Sequence, residues 1–377
     1  MTRKLLFTPG PLNTSDAVKR AMLRDAGSRD REFLELVRNI RTELLELAGV
    51  SRAKGFEAIL LQGSGTYAVE SVISSVVPES GKVLFLVNGA YGQRMAQIAA
   101  RHKINHEVLR WPESGPVKAE AVLEKVRDDA AITHVAMVHC ETSSGVLNPI
   151  TQLGNELQKV GRVFIVDAMS SFGALPVHLA NDGIDFLVSS ANKCIQGVPG
   201  FAFVLARTRP LKECETRART LSLDLYHQWR GLETNGQFRF TPPTHALLAF
   251  AEALRELRDE GGVAGRGRRY AANHKLLLDG MKRFGFVPFL KPEHQSIIIT
   301  AFHYPGHPKF DFNDFYERLS KEGMIIYPGK LTKTLCFRMG NIGHLFEEDI
   351  QALLAAIERV LKEMGVPVPV PAPDVNT

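Results

Sequence analysis

Five short segments carry side chains suited to chemistry, and each directly follows an apolar run. They are Gly63-Ser64-Gly65-Thr66, Asn88-Gly89-Ala90-Tyr91-Gly92, Glu141-Thr142-Ser143-Ser144-Gly145, Asp167-Ala168-Met169-Ser170-Ser171 and Ser189-Ser190-Ala191-Asn192-Lys193. In open α/β sheets ligands bind beyond the carboxyl ends of the strands, so these are the positions to read. Asp167 and Lys193 stand 26 residues apart, each at the end of a strand-like run. Taken alone, Asp167 reads first as a helix cap, and the pair reads first as a salt bridge. A ligand between them gives a sharper reading: a planar ring whose nitrogen meets the acid and whose aldehyde meets the amine. Lysine suits that bond because desolvation or a neighbouring cation readily lowers its pKa. The acid keeps the ring nitrogen protonated, so the ring can draw electrons. Gly63-Ser64-Gly65-Thr66 ends one strand and opens a helix, where free amides, hydroxyls and the helix dipole make an anion site. A capped turn is the plainer reading, and without a third glycine it is no dinucleotide fingerprint. Ring nitrogen, aldehyde and anion together describe pyridoxal 5'-phosphate.

Tyr91 follows another strand end and either stacks on such a ring or simply packs. Thr142 is placed to hydrogen-bond the ring oxygen, and Met169 to cover the opposite ring face. Arg338, in the apolar run Leu335-Cys336-Phe337-Arg338-Met339, is either half of a structural ion pair or a fork for a carboxylate or phosphonate. No metal site is expected: Pro305-Gly306 separates His303 from His307, and His102 and His106 lack a third ligand. Cys194 reads as packed, and Cys336 sits in a strand pattern rather than a mobile loop. Gly329-Lys330 lacks the upstream glycine of a P-loop.

The elements that must position these residues alternate. Apolar, β-rich runs occur at residues 59–61, 83–87, 135–138, 163–166, 186–188 and 201–205, with amphipathic helical stretches between most of them. Runs without polar alternation imply strands covered on both faces. After about residue 244 the rhythm changes to two long helical stretches, strands at 296–302, 324–327 and 335–339, and a last amphipathic helix from Ile350 to Met364. The expected fold is α/β, a mostly parallel central sheet with helices on both faces, plus a smaller C-terminal α+β domain. The expected division is an N-terminal segment 1–15, a large domain 16–262, a small domain 263–365 and a proline-rich tail 366–377. Alternating proline in that tail predicts an extended, poorly packed end.

Composition agrees with a globular chain. The 377 residues suit two or three domains, with 45% hydrophobic and 23% charged residues. No apolar run approaches the roughly 18–20 residues of a membrane span. The first ten residues hold only a three-residue apolar stretch, so no signal peptide is expected. Four scattered cysteines, without a C-x-x-C pair, fit reduced thiols in the cytoplasm. A net charge of +5, dispersed along the chain, argues weakly for an anionic ligand and against nucleic acid.

The motifs also resemble a known family. Thr8-Pro9-Gly10-Pro11-Leu12, Gly63-Ser64-Gly65-Thr66, Asn88 through Arg94, Glu141 through Gly145 and Asp167 through Lys193 appear in the order found in class V aminotransferases, pyridoxal phosphate enzymes of fold type I. The resemblance spans about residues 4–365. It implies that Lys193 holds the cofactor covalently, Asp167 meets the pyridinium nitrogen, Tyr91 stacks on the ring and Thr142 contacts its hydroxyl. Ser64, Gly65, Thr66 and Asn192 would hold the phosphate, completed by Thr241 from a neighbouring subunit, so a homodimer with shared sites is implied. Arg338 matches the family's substrate-carboxylate arginine. The stretches Gly27 through Phe33 and Ser190 through Gly200 imply transamination of 2-aminoethylphosphonate with pyruvate, a step in phosphonate degradation, giving phosphonoacetaldehyde and L-alanine. Alanine–glyoxylate or serine–pyruvate transamination is the alternative. A dianionic phosphonate asks for a second cation, for which Arg29 and Arg31 are candidates.

Overall fold

The computed structural model describes residues 4–373. In chain order its strands are β1 (Leu5–Leu6), β2 (Phe56–Gln62), β3 (Lys82–Val87), β4 (His106–Arg110), β5 (Ile132–Val138), β6 (Cys140–Glu141), β7 (Val146–Leu147), β8 (Val163–Asp167), β9 (Phe186–Ser190), β10 (Phe201–Arg207), β11 (Ile299–His303), β12 (Met324–Ile325), β13 (Tyr327–Pro328) and β14 (Cys336–Gly340). Seven form the central sheet in the order β2-β10-β9-β8-β5-β3-β4. Only β10 runs antiparallel to its neighbours. β5, β8 and β9 are buried along nearly their whole length, which is why their sequences run apolar without alternation. β4 escapes sequence reasoning because this edge strand is half-exposed and carries charge.

Parallel order lays the carboxyl ends of β2, β3, β5, β8 and β9 along one edge. The helices fix the sheet from both faces. In the helix Arg31–Leu47, Asp30 caps the start by accepting from the Glu32 amide at 3.1 Å. Phe33, Val37, Ile40 and Leu44 bury one stripe, and Gly49, at φ +71°, ends the turn that follows.

A second core lies beyond the paired glycines Gly261 and Gly262, both left-handed. Its three-stranded sheet runs β11-β14-β13, backed by the helices Gly262–Arg283, Phe312–Lys321 and Glu347–Glu363. Phe337 of β14 is fully buried at its centre, with the rings of Phe286, Phe302, Tyr304, Phe310, Phe312 and Phe315 between 5.5 and 6.4 Å away. The run at 324–327 splits into two short strands with different partners: β12 pairs with β1, and β13 with β14. The N-terminus therefore belongs with this unit, and Phe7 is buried in it.

The tail corrects its expectation. Val366 and Val370 are buried in the second core, the Val370 amide donates to the Phe284 carbonyl at 2.7 Å, and the Ala372 carbonyl accepts from Gly306. Alternating proline keeps the strand extended, and the valines between the prolines supply the apolar contacts. Residues 1–3 and 374–377, the ends of the segments expected at each terminus, lie outside the described residues.

Replacing Phe337 with alanine should cost about 3–5 kcal/mol of stability, as for other buried aromatic truncations. Urea unfolding measures it, and a loss below about 1 kcal/mol would contradict Phe337's central place in this core.

Candidate active site

Lys193 lies in the tight turn between β9 and β10. The Gln196 amide donates to the Lys193 carbonyl at 2.8 Å, and the Gly197 amide to that of Ala191 at 2.9 Å. The turn is bolted to the second unit from behind. Buried Arg266 donates to the Cys194 carbonyl and pairs with Glu260, while Gln196 donates to the Tyr270 hydroxyl and the Gly343 carbonyl. In front, the lysine Nζ donates to the Pro9 carbonyl at 2.5 Å. A Cβ at Gly10 would lie 2.5 Å from that nitrogen, and Gly10 sits at φ +119°, so glycine is required there. As a residue Lys193 is half-buried, but its ammonium sits deep in the site. Desolvation there pulls its pKa below the usual lysine value, partly opposed by Tyr91, Cys194 and Asp167.

Asp167 ends β8, hydrogen-bonded in register beside β9. Burial pushes its carboxyl up to about 6; the Met169 amide, donating to Oδ1 at 2.9 Å, opposes this, and the Glu141 charge adds to it. Glu141 is a functional residue that sequence reasoning missed. It is fully buried and accepts from the Tyr91 and Gly92 amides through Oε2, and from the Ser143 amide and hydroxyl through Oε1. It thus caps the helix Ala90–Arg101, which has no cap of its own at Gly89. A Cβ at Gly89 would sit 2.3 Å from the Glu141 Cγ. The signal was present: an acid at one strand end, and an uncapped Gly-Ala helix start at another.

One cavity of about 220 Å³ gathers Ser64, Gly65, Thr66, Tyr91, Thr142, Asp167, Met169, Asn192 and Lys193. Arg94, one helical turn beyond Tyr91, also lines it and donates to the Thr66 hydroxyl at 3.3 Å. It marks the anion end with a cation that the sequence reading passed over. Burial raises the Tyr91 phenol, but Lys330, Lys193 and Arg338, with a hydrogen bond to Thr142, outweigh it and lower its pKa. Arg338 is buried and reaches the cavity through Thr142, donating from Nη1 to that carbonyl at 2.8 Å and from Nε to the Pro328 carbonyl at 3.0 Å. Among the described residues it has no acidic partner, which removes the ion-pair reading. Thr241 does not line the cavity; it is exposed, with its carbonyl accepting from Gln62. Arg29 and Arg31 are exposed and away from the cavity lining.

The residues fit a pyridoxal phosphate. Ser190 Oγ is buried in the cavity wall with no hydrogen-bond partner. Ser64 stands at the N-cap of the helix Gly65–Val76 without making a capping bond, so the first-turn amides lack a side-chain partner. A Cβ at Gly65 would meet Met169 Sδ at 2.3 Å, so Met169 crosses this helix start as well as lining the cavity. Burial raises all four thiols, three of them to about 12, so no thiolate competes as nucleophile.

A parallel sheet with an acid and a lysine at its carboxyl edge, a helix start for an anion, and a second α+β unit across the opening define an aminotransferase architecture. The aminotransferase class-V family model matches residues 14–345, and the chain belongs to this family. A 2-aminoethylphosphonate–pyruvate transaminase of Syntrophobacter fumaroxidans is 49% identical over 362 residues, 96% of this chain and 97% of the relative. One of Klebsiella pneumoniae is 51% identical over 359 residues, 95% and 97% of the two chains. Solved structures share the fold at lower identity. Ureidoglycine–glyoxylate aminotransferase from Bacillus subtilis matches with a TM-score of 0.90 at 24% identity, covering 98% of this chain and 95% of the other. A phosphoserine aminotransferase from Trichomonas vaginalis, solved with pyridoxal phosphate bound, matches at 0.74 and 19% identity, covering 94% and 100%.

The raised Asp167 pKa makes a stability prediction. The folded state holds a proton there that the unfolded chain, near 3.8, has already released. The stability it contributes is complete below the unfolded value and is lost as pH rises through about 6. The cofactor-free protein should lose on the order of 2–3 kcal/mol from this group across that window. Asp167→Asn should flatten that part of the curve; parallel urea-derived curves for parent and variant would contradict it.

Proposed function

We propose that this protein transfers the amino group of 2-aminoethylphosphonate to pyruvate, giving phosphonoacetaldehyde and L-alanine. The observation that carries the reading is Arg338, a buried guanidinium with no carboxylate partner among the described residues, whose fork suits the distal anion of a small substrate. Relatives about half identical over nearly their whole length, named for this reaction, support the choice of donor and acceptor.

Pyridoxal phosphate supplies an aldehyde that takes up the amino group and a ring that accepts an electron pair. Asp167 holds the proton on the ring nitrogen, which in turn gives this desolvated carboxyl a cationic partner. Ser64, Gly65, Thr66 and Asn192 hold the phosphate. Tyr91, Thr142 and Met169, which line the same cavity, would pack against the ring, meet its hydroxyl and close its other face. Lys193 would hold the cofactor through its amine, and that amine, when free, would take the proton from the amino-bearing carbon of the substrate. Its lowered pKa keeps more of it as free amine, the form that abstracts a proton. Arg338 binds the phosphonate of the donor, then the carboxylate of pyruvate, in two successive half-reactions.

The protein acts as a homodimer in which Thr241 of one subunit completes the phosphate site of the other. The exposed Tyr67, Leu221 and Phe240 support this. Gln62 donates to the Phe240 carbonyl and Arg239 to that of Leu221, so Leu221 and Phe240 adjoin the Thr241 segment. The four free, buried cysteines support a reducing, cytoplasmic setting. No helix among the described residues is long and apolar enough to cross a membrane.

Mixing the holoenzyme with 2-aminoethylphosphonate alone, and with L-alanine alone, should convert the cofactor absorbance to that of pyridoxamine phosphate, while taurine should not. Conversion by alanine or serine only would place the enzyme with the glyoxylate or serine transaminases instead. Lys193→Ala should abolish turnover and the parent's cofactor spectrum. Arg338→Ala should weaken binding of both substrates by about 2–5 kcal/mol; an unchanged KM for each would remove its role.

A further inference from the structure

The proposed reaction makes an unequal demand on one pocket. Its donor ends in a phosphonate, which approaches two negative charges near neutral pH, as phosphate monoesters do with a second pKa of about 6. Pyruvate and alanine each present a single carboxylate. Arg338 provides one positive charge for both. Arg94 lies at the Thr66 end of the cavity, and Arg29 and Arg31 are exposed and away from its lining.

Lys330 does not line the cavity either, but it stands over the ring of Tyr91, which does, on the hairpin that also carries Arg338. β13 pairs Tyr327 with Arg338 and Pro328 with Phe337, and the Pro328 carbonyl holds the Arg338 Nε. Lys330 follows two residues later. A Cβ at Gly329 would lie 2.3 Å from the Cys336 carbonyl oxygen, so the hairpin is drawn tight there. The same added Cβ would lie 2.5 Å from the Cys336 sulfur, so the backbone leading into Lys330 is pressed against that side chain. Further along, the Thr332 amide and hydroxyl both donate to Glu113, tethering the loop to the large unit. So anchored, the half-buried Lys330 carries its Nζ to 4.0 Å from the centroid of the Tyr91 ring. Among the described residues no carboxylate pairs with it. An ammonium over an aromatic face is held weakly and keeps its donors free for an anion.

We propose that Lys330 is the second cation of the distal-anion site and selects the phosphonate donor over carboxylate substrates. The inference rests on the proposed reaction. A point charge beside a planar fork suits an anion with three oxygens and nearly two charges, and adds less to a carboxylate that the fork already satisfies.

The test compares parent, Lys330→Met and Lys330→Arg holoenzymes. The Met variant should raise the KM for 2-aminoethylphosphonate by about 10-fold and leave that for L-alanine within about 2-fold, and Arg should restore most of the loss. Calorimetric binding of ethylphosphonate, which lacks the amine, should weaken by a similar factor while propionate binding holds. Equal losses for both substrates and both anions would mean that Lys330 only props Tyr91, and would overturn the proposal. A parent inert toward 2-aminoethylphosphonate would overturn the reaction and this role together. A parent active on it, whose Lys330→Met variant keeps its ethylphosphonate affinity, would overturn the Lys330 assignment alone.

Discussion

Desolvation of an acid and an amine at one sheet edge is the constraint on which this structure turns. Charged groups removed from water are costly unless paired and hydrogen-bonded. Here burial drives Asp167 and Lys193 in opposite directions, each toward its neutral form. Buried polar groups from several elements support that arrangement. Glu141 gathers the Tyr91 helix start, Arg266 grips the turn behind Lys193, and the Pro9 carbonyl receives the ammonium. A ligand with a protonated ring nitrogen and an aldehyde offers each group the partner that burial denied it. Among the described residues no salt bridge joins Asp167 to Lys193, so both groups face the cavity without each other.

The second unit serves the same end from the opposite side. The chain pairs β1 with β12 there, and then sends Thr8-Pro9-Gly10 across to Lys193. The Gly340 amide donates to the Phe7 carbonyl, so β14 and the N-terminal segment are locked together. Arg338 hangs from that strand, one residue from the ring cluster around Phe337. The aromatic core thus sets where the guanidinium sits, and the Thr142 carbonyl sets how it faces the cavity. Arg338 and the cavity-lining groups Asp167 and Lys193 come from different cores, so their separation depends on how the two cores dock.

Much of this was legible in the residues. Unbroken apolar runs marked the covered strands, and the residues just past them line the cavity, because parallel order leaves all those ends on one edge. Edge strand β4 was not legible, since half-exposed pairing needs no hydrophobic pattern. The tail was misread because proline reports backbone shape, whereas burial of Val366 and Val370 depends on a surface formed far away in sequence. Local sequence assigns no role to Glu141 or Lys330. Each acts through groups tens to hundreds of residues distant, and nothing in local spacing shows which helix start or which ring they will meet.

What the sequence determined by itself was the chemistry on offer. It supplied an acid, a lysine and an anion-binding helix start at strand ends, an arginine in an apolar strand, and a repeating pattern that folds as an open α/β sheet. Periodicity and composition act locally, so they carry that information without the fold. The tertiary structure decided which charges lack partners. Among the described residues it left Arg338 and Lys330 without acids, gave Arg266 to Glu260, and left Arg29 and Arg31 on the surface. Pairing and desolvation are properties of the space between elements, and that space exists only once the two cores have closed around it.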